Sequence, residues 1–284
     1  MQKRYRLILG IIIAIVLAIS TVSNYLKPEE KAEISDAALS VHYIDVGQAD
    51  AALLFSGGKT MLVDGGNRED SNLIAAYLKK HSVSHLDYVI CTHAHEDHVG
   101  GLSGALSVSS AGEIFAPKTE ADTKVYKNFK TKAKEQGVAV KNPSPGERFT
   151  FGESTAEFLG PVTEKTDELN NTSLVLKVTC GEKSFLFTGD AERDEELSII
   201  DAGYDVSATV LKVGHHGSNS STSYPFLREV MPEIAVISVG KNNDYGHPDD
   251  KVLTRLRDAG VTVFRTDELG DIIIETDGKN ISTP

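Results

Sequence analysis

A short run of metal-binding side chains directly follows an apolar segment and constrains the fold more than any other part of this chain. Residues 88–92 are largely apolar and β-branched, which is typical of a buried strand. The loop after them holds His93, His95, Asp97 and His98, and a pair of glycines then allows a tight turn into a short helix. Neutral imidazole and carboxylate are the ligands that Zn²⁺, Mn²⁺ and Fe²⁺ accept. The pattern predicts a metal site at a strand end, which is a rigid support for ligands.

The spacing of these ligands indicates two metal ions. His93 and His95 can face one ion, while Asp97 and His98 turn towards a second. Two-metal sites hold their ions roughly 3.5–4 Å apart, so a shared carboxylate is needed to bridge them. Asp190 is the candidate bridge, because it follows an apolar strand and a glycine at a predicted strand end. Residues 211–218 likewise place polar side chains after an apolar strand and a glycine, in this case two adjacent histidines.

These motifs, with VDGG at residues 63–66, resemble the signature of the metallo-β-lactamase fold superfamily. Further motifs are similar to the metallo-hydrolase domain of the ComEC-like family, which comprises the competence DNA-uptake protein ComEC and its stand-alone relatives. They are DVGQAD at 45–50, NNTSLVL at 170–176, LKVGHHGS at 211–218 and YGHP at 245–248, in the family's order over about residues 39–278. The resemblance implies an α/β (α+β) fold, a four-layer αββα sandwich with the metals at one edge of the sheets.

The resemblance also implies ligand roles around two divalent ions, Zn²⁺ or Mn²⁺. The expected metal ligands are His93, His95, Asp97, His98, Asp190 and His215. We favour His215 over His216 beside Asp97 and His98, with His216 nearby in the cleft; the reverse order stays open. Asp190 is taken as the bridge, and its alternative role is to cap a helix that begins near residue 192. In the family, Asp64 holds the backbone and a ligand histidine in place.

One departure from the superfamily concerns the first metal ion. Many members supply it with a third histidine from a loop before the strand that ends at Asp190, whereas this chain has Asn170 and Asn171 there. An amide oxygen is a harder donor than imidazole, so we expect this site to prefer Mn²⁺ over Zn²⁺. Asn171 is then a candidate to hold substrate. The ComEC-like relatives also carry asparagine here, which supports the closer resemblance.

Other residues are candidates for contacts with substrate. His247, in the YGHP motif, can donate a hydrogen bond to a phosphate oxygen or protonate a leaving group; otherwise it is a surface histidine. Ser218 is a candidate to hold phosphate, unless it belongs to a plain polar loop. Residues expected to border the site are Asp45, Gln48 and Asp50. Asp97 and His247 are the catalytic candidates.

The first 26 residues predict export. Three basic residues within positions 3–6 precede an uncharged run over 7–26, which is the pattern of a secretory signal and is also long enough for one membrane span. We favour an uncleaved anchor with its positive end inside, so that the rest of the protein is secreted or membrane-anchored on the extracytoplasmic side of a bacterial membrane. Residues 27–38 are then a charged linker, and 39–284 form the hydrolase domain.

Composition bears on partners and on disulfides. The formal charge of −12 over 284 residues argues against a tight sequence-independent grip on nucleic acid, because such binding neutralises phosphates with lysine and arginine. Bound divalent ions would offset part of this charge locally. Cys91 and Cys180 are each predicted to be small buried apolar residues rather than a disulfide pair.

Strands and helices are predicted to alternate in two similar halves. An amphipathic helix is expected after residue 70, with Leu73, Ile74, Tyr77 and Leu78 on its apolar face. Further helices are expected over 124–136, 192–200 and 249–259. Strands are expected over 41–46, 51–55, 60–63, 88–92, 148–151, 155–159, 174–179, 184–187, 209–213, 234–239, 261–264 and 272–275.

The leading functional hypothesis is an exported two-metal phosphodiesterase, a DNase in which a metal-activated water attacks the phosphodiester. DNA or another phosphodiester is then the substrate, and the membrane is a partner if the first segment stays attached. One alternative is a hydrolase of another bond, such as a phosphorylcholine ester, a lactone or a β-lactam. The alternative from another class is a non-catalytic competence accessory or binding protein.

Overall fold

Two mixed sheets face each other in the computed structural model, which describes residues 37–163 and 166–284. The first sheet contains β1 (Leu39–Tyr43), β2 (Ala52–Ser56), β3 (Lys59–Val63), β4 (His85–Ile90), β5 (Ser110–Phe115), β6 (Val140–Lys141), β14 (Ile272–Thr276) and β15 (Ile281–Ser282). The second contains β7 (Arg148–Phe151), β8 (Ser154–Gly160), β9 (Val175–Cys180), β10 (Lys183–Phe187), β11 (Val210–Lys212), β12 (Ile234–Ile237) and β13 (Thr262–Arg265). Their strand orders are β15-β14-β1-β2-β3-β4-β5-β6 and β13-β12-β11-β10-β9-β8-β7.

Helices cover the outer faces of both sheets. They are α1 (Ser71–Lys80), α2 (Glu96–Val99), α3 (Leu102–Val108), α4 (Lys124–Glu135), α5 (Arg193–Asp201), α6 (Tyr224–Val230), α7 (Asp250–Asp258) and α8 (Thr266–Leu269). Short 3-10 turns occur at Arg68–Asp70, Leu169–Thr172 and Gly214–Gly217.

Alternating side chains build a separate core on each face of the first sheet. Leu53 and Leu62 are register partners across β2 and β3, and both pack into the core shared with α1, α3 and α4. Their neighbours Leu54 and Met61 are also partners and point the opposite way, into the core between the two sheets. This follows from the two-residue period of a strand, which sends successive side chains to opposite faces.

The second sheet is also buried on both faces. Phe185 and Phe187 of β10 enter the core between the sheets, whereas Leu186 between them enters the outer core with α5, α6 and α7. Strands buried on both faces have continuous apolar sequences, which explains why β10 lacks polar alternation. The predicted four-layer αββα sandwich is therefore confirmed.

The parallel strands bring the metal-binding motifs to one edge. Within the first sheet β3 and β4 run parallel, and within the second β10 and β11 run parallel, each pair with a helix in the connection. Loops after parallel strands leave the same end of a sheet, and open α/β sheets bind ligands outside the carboxyl ends of their strands. Asp64, His93, Asp190 and His215 all follow the carboxyl ends of these strands.

Most predicted elements are present, with shifted ends. The helix expected after residue 70 forms as α1, but Leu73 is 40% exposed, so its assignment to the apolar face is wrong; Ile74, Tyr77 and Leu78 are buried. Cys91 and Cys180 are buried and free, as predicted.

The proposed signal or anchor at 1–26 and most of the linker at 27–38 lie outside the described residues, so these boundaries stay predictions. Across 37–163 and 166–284, no helix is both long and apolar enough to cross a membrane.

Candidate metal centre

The loop between β4 and α2 is held in shape by the carboxylate of Asp64. This carboxylate accepts hydrogen bonds from the backbone N–H of Thr92 at 2.8 Å and from its hydroxyl at 2.7 Å, and it lies 2.8 Å from Nδ1 of His98. Asp64 itself has a φ of 56°, a left-handed conformation that is costly for a residue other than glycine and is found at strained functional sites. These are the contacts expected of Asp64 from the sequence.

Glycine 101 is required for the close approach of two loops at this point. A Cβ atom built on Gly101 would lie 1.9 Å from the carbonyl oxygen of Gly65. The backbone N–H of Gly65 also donates to the carbonyl oxygen of His98. The glycines that follow the histidine motif therefore let the loop carrying Asp64 pack directly against it.

Four side chains converge on one point at the sheet edge. They are Asp97, His98, Asp190 and His216, whose candidate ligand atoms all lie within 4.8 Å of one another. Nε2 of His98 is 3.2 Å from Oδ1 of Asp190, and Nε2 of His216 is 3.3 Å from Oδ2 of Asp97. Three of these side chains are buried, while that of Asp97 is 32% exposed, so the group opens to solvent on the side of Asp97.

A second group consists of His93, His95 and Asp190, with ligand atoms again within 4.8 Å of one another. Nε2 of His93 is 3.0 Å from Nδ1 of His95 and 3.8 Å from Oδ2 of Asp190. Asp190 therefore belongs to both groups, with Oδ1 facing His98 and Oδ2 facing His93. That division of its two oxygens is the geometry required of a carboxylate that bridges two ions.

The structure reverses the order favoured for the two adjacent histidines. His216, not His215, joins Asp97, His98 and Asp190, whereas His215 belongs to neither group. Nε2 of His215 lies 3.7 Å from Oδ2 of Asp190, but its Nδ1 lies 3.3 Å from the hydroxyl of Ser220. Both histidines have left-handed φ values, 50° and 52°, and this turn directs the second imidazole inward.

Unpartnered buried atoms show that the first group fits a cation. Nε2 of His98, Nε2 of His216 and Oδ1 of Asp190 are all buried, and among the described residues none makes a well-aligned hydrogen bond, although oppositely charged atoms lie 3.2–3.3 Å away. Buried polar atoms are rarely left unpaired, because desolvation without a partner is costly. Two imidazole nitrogens and a carboxylate oxygen that face one another in this way fit a divalent transition-metal ion.

The ionisation of these groups depends on the shared carboxylate. Burial alone would disfavour charged imidazoles, but nearby Asp190 and other carboxylates raise the pKa of His98 well above its usual range and that of His216 to about 10. Burial and the imidazole of His98 hold the pKa of His93 well below its usual range, so His93 is neutral. In the metal-free protein, protons therefore occupy His98 and His216, and a cation must displace them.

A buried lysine supports the centre from behind, and sequence reasoning missed it. Nζ of Lys212 lies 2.8 Å from Oδ2 of Asp50, and Oδ1 of Asp50 lies 3.3 Å from Nδ1 of His216. Lys212 and Asp50 are both buried. Asp50, Asp64 and His98 also approach within 4.8 Å, but the ammonium of Lys212 neutralises Asp50, so this cluster is not a third cation site. The sequence signal for this ion pair is a lysine within the otherwise apolar segment that forms β11.

A cleft of about 320 Å³ opens above the two groups, and we call it the metal cleft. Its lining includes Gln48, Asn170, Tyr245 and His247 as well as candidate ligands. Burial and the imidazoles of His215 and His216 lower the pKa of His247, whose Nδ1 is buried without a hydrogen-bond partner among the described residues. The expected positions of Gln48 and His247 at the site agree with this geometry.

Three expected substrate residues lie elsewhere. Asn171 is buried, and its side-chain oxygen accepts from the N–H of Glu192, so neighbouring Asn170 lines the cleft instead. The hydroxyl of Ser218 lies 3.0 Å from that of Ser220 and shapes its own loop. The carboxylate of Asp45 accepts from the N–H of Gly47 within its own turn. None of these three lines the metal cleft.

The family follows from comparison with known proteins. A model described as the metallo-beta-lactamase superfamily matches residues 44–241, more than half of the chain. The chain belongs to this superfamily. The metallo-beta-lactamase fold implies a metal-dependent hydrolase that binds divalent ions, and the histidine and aspartate groups above fit that chemistry.

Curated relatives confirm the resemblance to the ComEC-like family. The chain is 32% identical over 252 residues to ComE operon protein 3 of Bacillus subtilis, covering 82% of this chain and 32% of that protein. It is also 32% identical over 246 residues to competence protein ComA of Neisseria gonorrhoeae, covering 86% and 33%. The chain thus spans about a third of the length of these curated relatives.

Solved structures of other metallo-beta-lactamase proteins share the fold. The metallo hydrolase Igni18 from Ignicoccus hospitalis matches with a TM-score of 0.56 and 17% identity, covering 83% of this chain and 99% of that one. YhfI from Bacillus subtilis matches with a TM-score of 0.54 and 16% identity, covering 80% and 96%. At these identities the likeness concerns the fold alone.

Proposed function

We propose that this metallo-beta-lactamase protein is a two-metal phosphodiesterase that cleaves DNA. The observation that carries the proposal is the position of Asp190, whose two oxygens face two separate histidine groups. Two ions at such a site activate a water molecule and neutralise charge on a phosphoryl oxygen. Similarity to competence proteins supports DNA as the phosphodiester.

The side chains around the metal cleft supply the remaining functions. Asp97 is the most exposed member of its group and borders the open side of the cleft, where its carboxylate can position a water molecule. Because its pKa is lowered, His247 is neutral at pH 7 and keeps one ring N–H. We therefore assign His247 to a hydrogen bond with a phosphate oxygen rather than to protonation of the leaving group.

The choice of metal depends on the group of His93, His95 and Asp190. The described residues place no third imidazole within this group, and Asn170 in the cleft offers an amide oxygen. We propose Mn²⁺ as the better activator, because harder oxygen donors favour it over Zn²⁺. Export through residues 1–26 would place the enzyme outside the cytoplasm, against extracellular DNA; the basic and apolar pattern of that segment supports this part of the proposal.

The test uses protein that lacks residues 1–35, stripped of metal and reloaded separately with Mn²⁺ or Zn²⁺. It is incubated with single-stranded DNA, double-stranded DNA, bis-p-nitrophenyl phosphate, a phosphorylcholine ester and a β-lactam. Asp97→Ala and Asp190→Ala are the variants at the centre. Asp201→Ala is the matched control, because it removes an exposed carboxylate at the end of α5 that lies outside the cleft.

The expected result is metal-dependent cleavage of DNA that both centre variants lose and the control keeps. Hydrolysis of another ester or of the lactam, with DNA intact, would mean that the same metal centre acts on that substrate class instead of on DNA. Binding of metal without turnover of any substrate would refute the enzymatic proposal and favour a competence accessory or binding role.

A further inference from the structure

A second cleft of about 500 Å³ lies among the first turns of α5, α6 and α7, and we call it the helix cleft. Its lining includes Arg193 at the start of α5, Tyr224 at the start of α6, and Lys251 and Arg255 on α7. It forms only because the fold brings three helix starts together.

One layer of side chains separates the helix cleft from the metal cleft. Ser220 lines the helix cleft, and its hydroxyl lies 3.3 Å from Nδ1 of His215, which lines the metal cleft. The same hydroxyl donates to the carboxylate of Glu192 at 3.0 Å, and Arg193 donates its backbone N–H to the carbonyl of Ser220. The two clefts therefore lie on either side of Ser220, close enough for one extended strand to reach both.

The charge of the helix cleft is opposite to that of the protein. The described residues that line it include three bases and one acid, Asp250, whereas the whole chain carries a formal charge of −12. Arg193 and Lys251 are exposed and make no ion pair within the described part of the chain. Two unpaired cations in an acidic protein favour an anionic ligand at this place.

The cleft also presents an exposed aromatic ring beside a fixed guanidinium. Tyr224 is 57% exposed, and the guanidinium of Arg255 lies 5.7 Å from its ring centroid. Arg255 is buried and donates to the carbonyl oxygens of Ser221 and Thr222, both at 2.9 Å, so it is fixed. An exposed aromatic ring beside free cations is the combination with which proteins bind single-stranded nucleic acid, since the ring stacks on a base and the cations pair with phosphate.

We propose that the helix cleft binds the nucleotide next to the scissile phosphodiester of a single strand, with its base on Tyr224 and its phosphate between Arg193 and Lys251. This inference rests on the proposed phosphodiesterase function and adds a subsite to it. With divalent ions bound, the acidic metal cleft would hold the reacting phosphate, while the helix cleft supplies the affinity for a strand.

The test compares two substrates on the Mn²⁺-loaded protein: a single-stranded dodecathymidylate and methyl p-nitrophenyl phosphate, which has no neighbouring nucleotide. The variants are Arg193→Gln, Lys251→Gln, Tyr224→Ser and Tyr224→Phe. Arg228→Gln is the matched control, because Arg228 is an exposed base on α6 that does not line the cleft.

For the oligonucleotide we expect kcat/KM to fall at least about fivefold in Tyr224→Ser, the lower end for loss of one stacked base, and to be kept in Tyr224→Phe. Arg193→Gln and Lys251→Gln should each make the slope of log kcat/KM against log salt less steep by about 0.7, the value for one phosphate contact on a single strand. Rates on the small diester should be unchanged in all variants. A merely structural role would not alter the salt slope.

Unchanged oligonucleotide kinetics and salt slopes in these variants, with wild-type cleavage intact, would overturn the subsite and leave the phosphodiesterase standing. If the wild type cleaves neither substrate, the phosphodiesterase proposal fails, and anisotropy of the intact labelled oligonucleotide then tests the subsite alone. Weaker binding in Tyr224→Ser and in the two charge variants supports it, and equal binding in all variants overturns it.

Discussion

Removal of the buried ammonium of Lys212 should destabilise the protein strongly. Burial alone would raise the pKa of the Asp50 carboxyl, but Lys212 and His216 outweigh it and hold that pKa well below its usual range. Asp50 is thus charged, and Lys212→Met strands a carboxylate that is only 6% exposed. Breaking a buried ion pair by removing one partner costs about 3–5 kcal/mol. Because His216 stays 3.3 Å from Asp50, we expect the lower end, about 3 kcal/mol.

The measurement is urea unfolding of the metal-free protein at pH 7 and 25 °C, followed by circular dichroism. Lys177→Met is the matched control: Lys177 is also a buried lysine on a strand of the second sheet, 2.8 Å from Asp205, but the side chain of Asp205 is 75% exposed. In Lys177→Met the carboxylate of Asp205 stays in contact with water. Loss of this ion pair should therefore lower the free energy of unfolding by about 1 kcal/mol or less.

The pH dependence of the free energy of unfolding tests whether the charge of Asp50 causes the loss in Lys212→Met. A carboxyl whose folded pKa is depressed stabilises the fold above its unfolded pKa, and that contribution is lost as the pH falls through the folded value. The gap between wild type and Lys212→Met should therefore be full at pH 7 and narrow as the pH falls below about 4, the unfolded pKa of an aspartate, because the stranded carboxyl of Asp50 takes up a proton before the paired one does. The double variant with Asp50→Asn should be more stable than Lys212→Met alone. A loss equal to that of Lys177→Met, or no recovery in the double variant, would refute the reasoning.

Three further predictions concern single side chains. Asp64→Asn should weaken metal binding by about 10- to 100-fold in calorimetry, with little change in kcat at saturating metal, because Asp64 orients His98 without touching the ion. His247→Ala should lower kcat/KM by about 10-fold or more on both DNA and bis-p-nitrophenyl phosphate, as expected for a hydrogen bond to a charged oxygen; a loss confined to DNA would indicate proton donation to the leaving group instead. Burial, then His81 and Lys80, lower the pKa of His42 to about 4 from 6.5, so unfolding takes up a proton below pH 6.5. Stability should fall by about 3 kcal/mol between pH 7 and 4, and His42→Gln should remove that part of the slope; an unchanged slope would contradict it.

Strand-borne features could be predicted from the sequence because their signals are local. Apolar runs end two or three residues before His93 and Asp190, and a strand buried on both faces needs such a run, so both residues could be placed just after a strand end. The hydrogen bonds of Asp64 also agree with the family's pattern, because Asp64 directly follows β3 and β3 pairs in parallel with β4.

Loop-borne details could not be predicted because they depend on backbone angles that no periodicity encodes. Which of His215 and His216 faces the ions is decided by two consecutive left-handed residues. Whether Asn170 or Asn171 faces the cleft is decided within a short 3-10 turn, where Asn171 turns to the backbone of Glu192. The helix cleft joins residues far apart in the chain, and neither charge nor hydropathy of any one segment indicates it.

The most direct test of the two-metal centre is a count of bound ions by elemental analysis after dialysis against Mn²⁺. Wild type, His93→Ala and Asp190→Ala are compared, with circular dichroism to confirm folding. Because Asp190 is the one residue shared by the groups of His93 and of His216, we predict two ions in wild type, one in His93→Ala and fewer than one in Asp190→Ala. A single ion in wild type, or two ions retained in Asp190→Ala, would contradict the account.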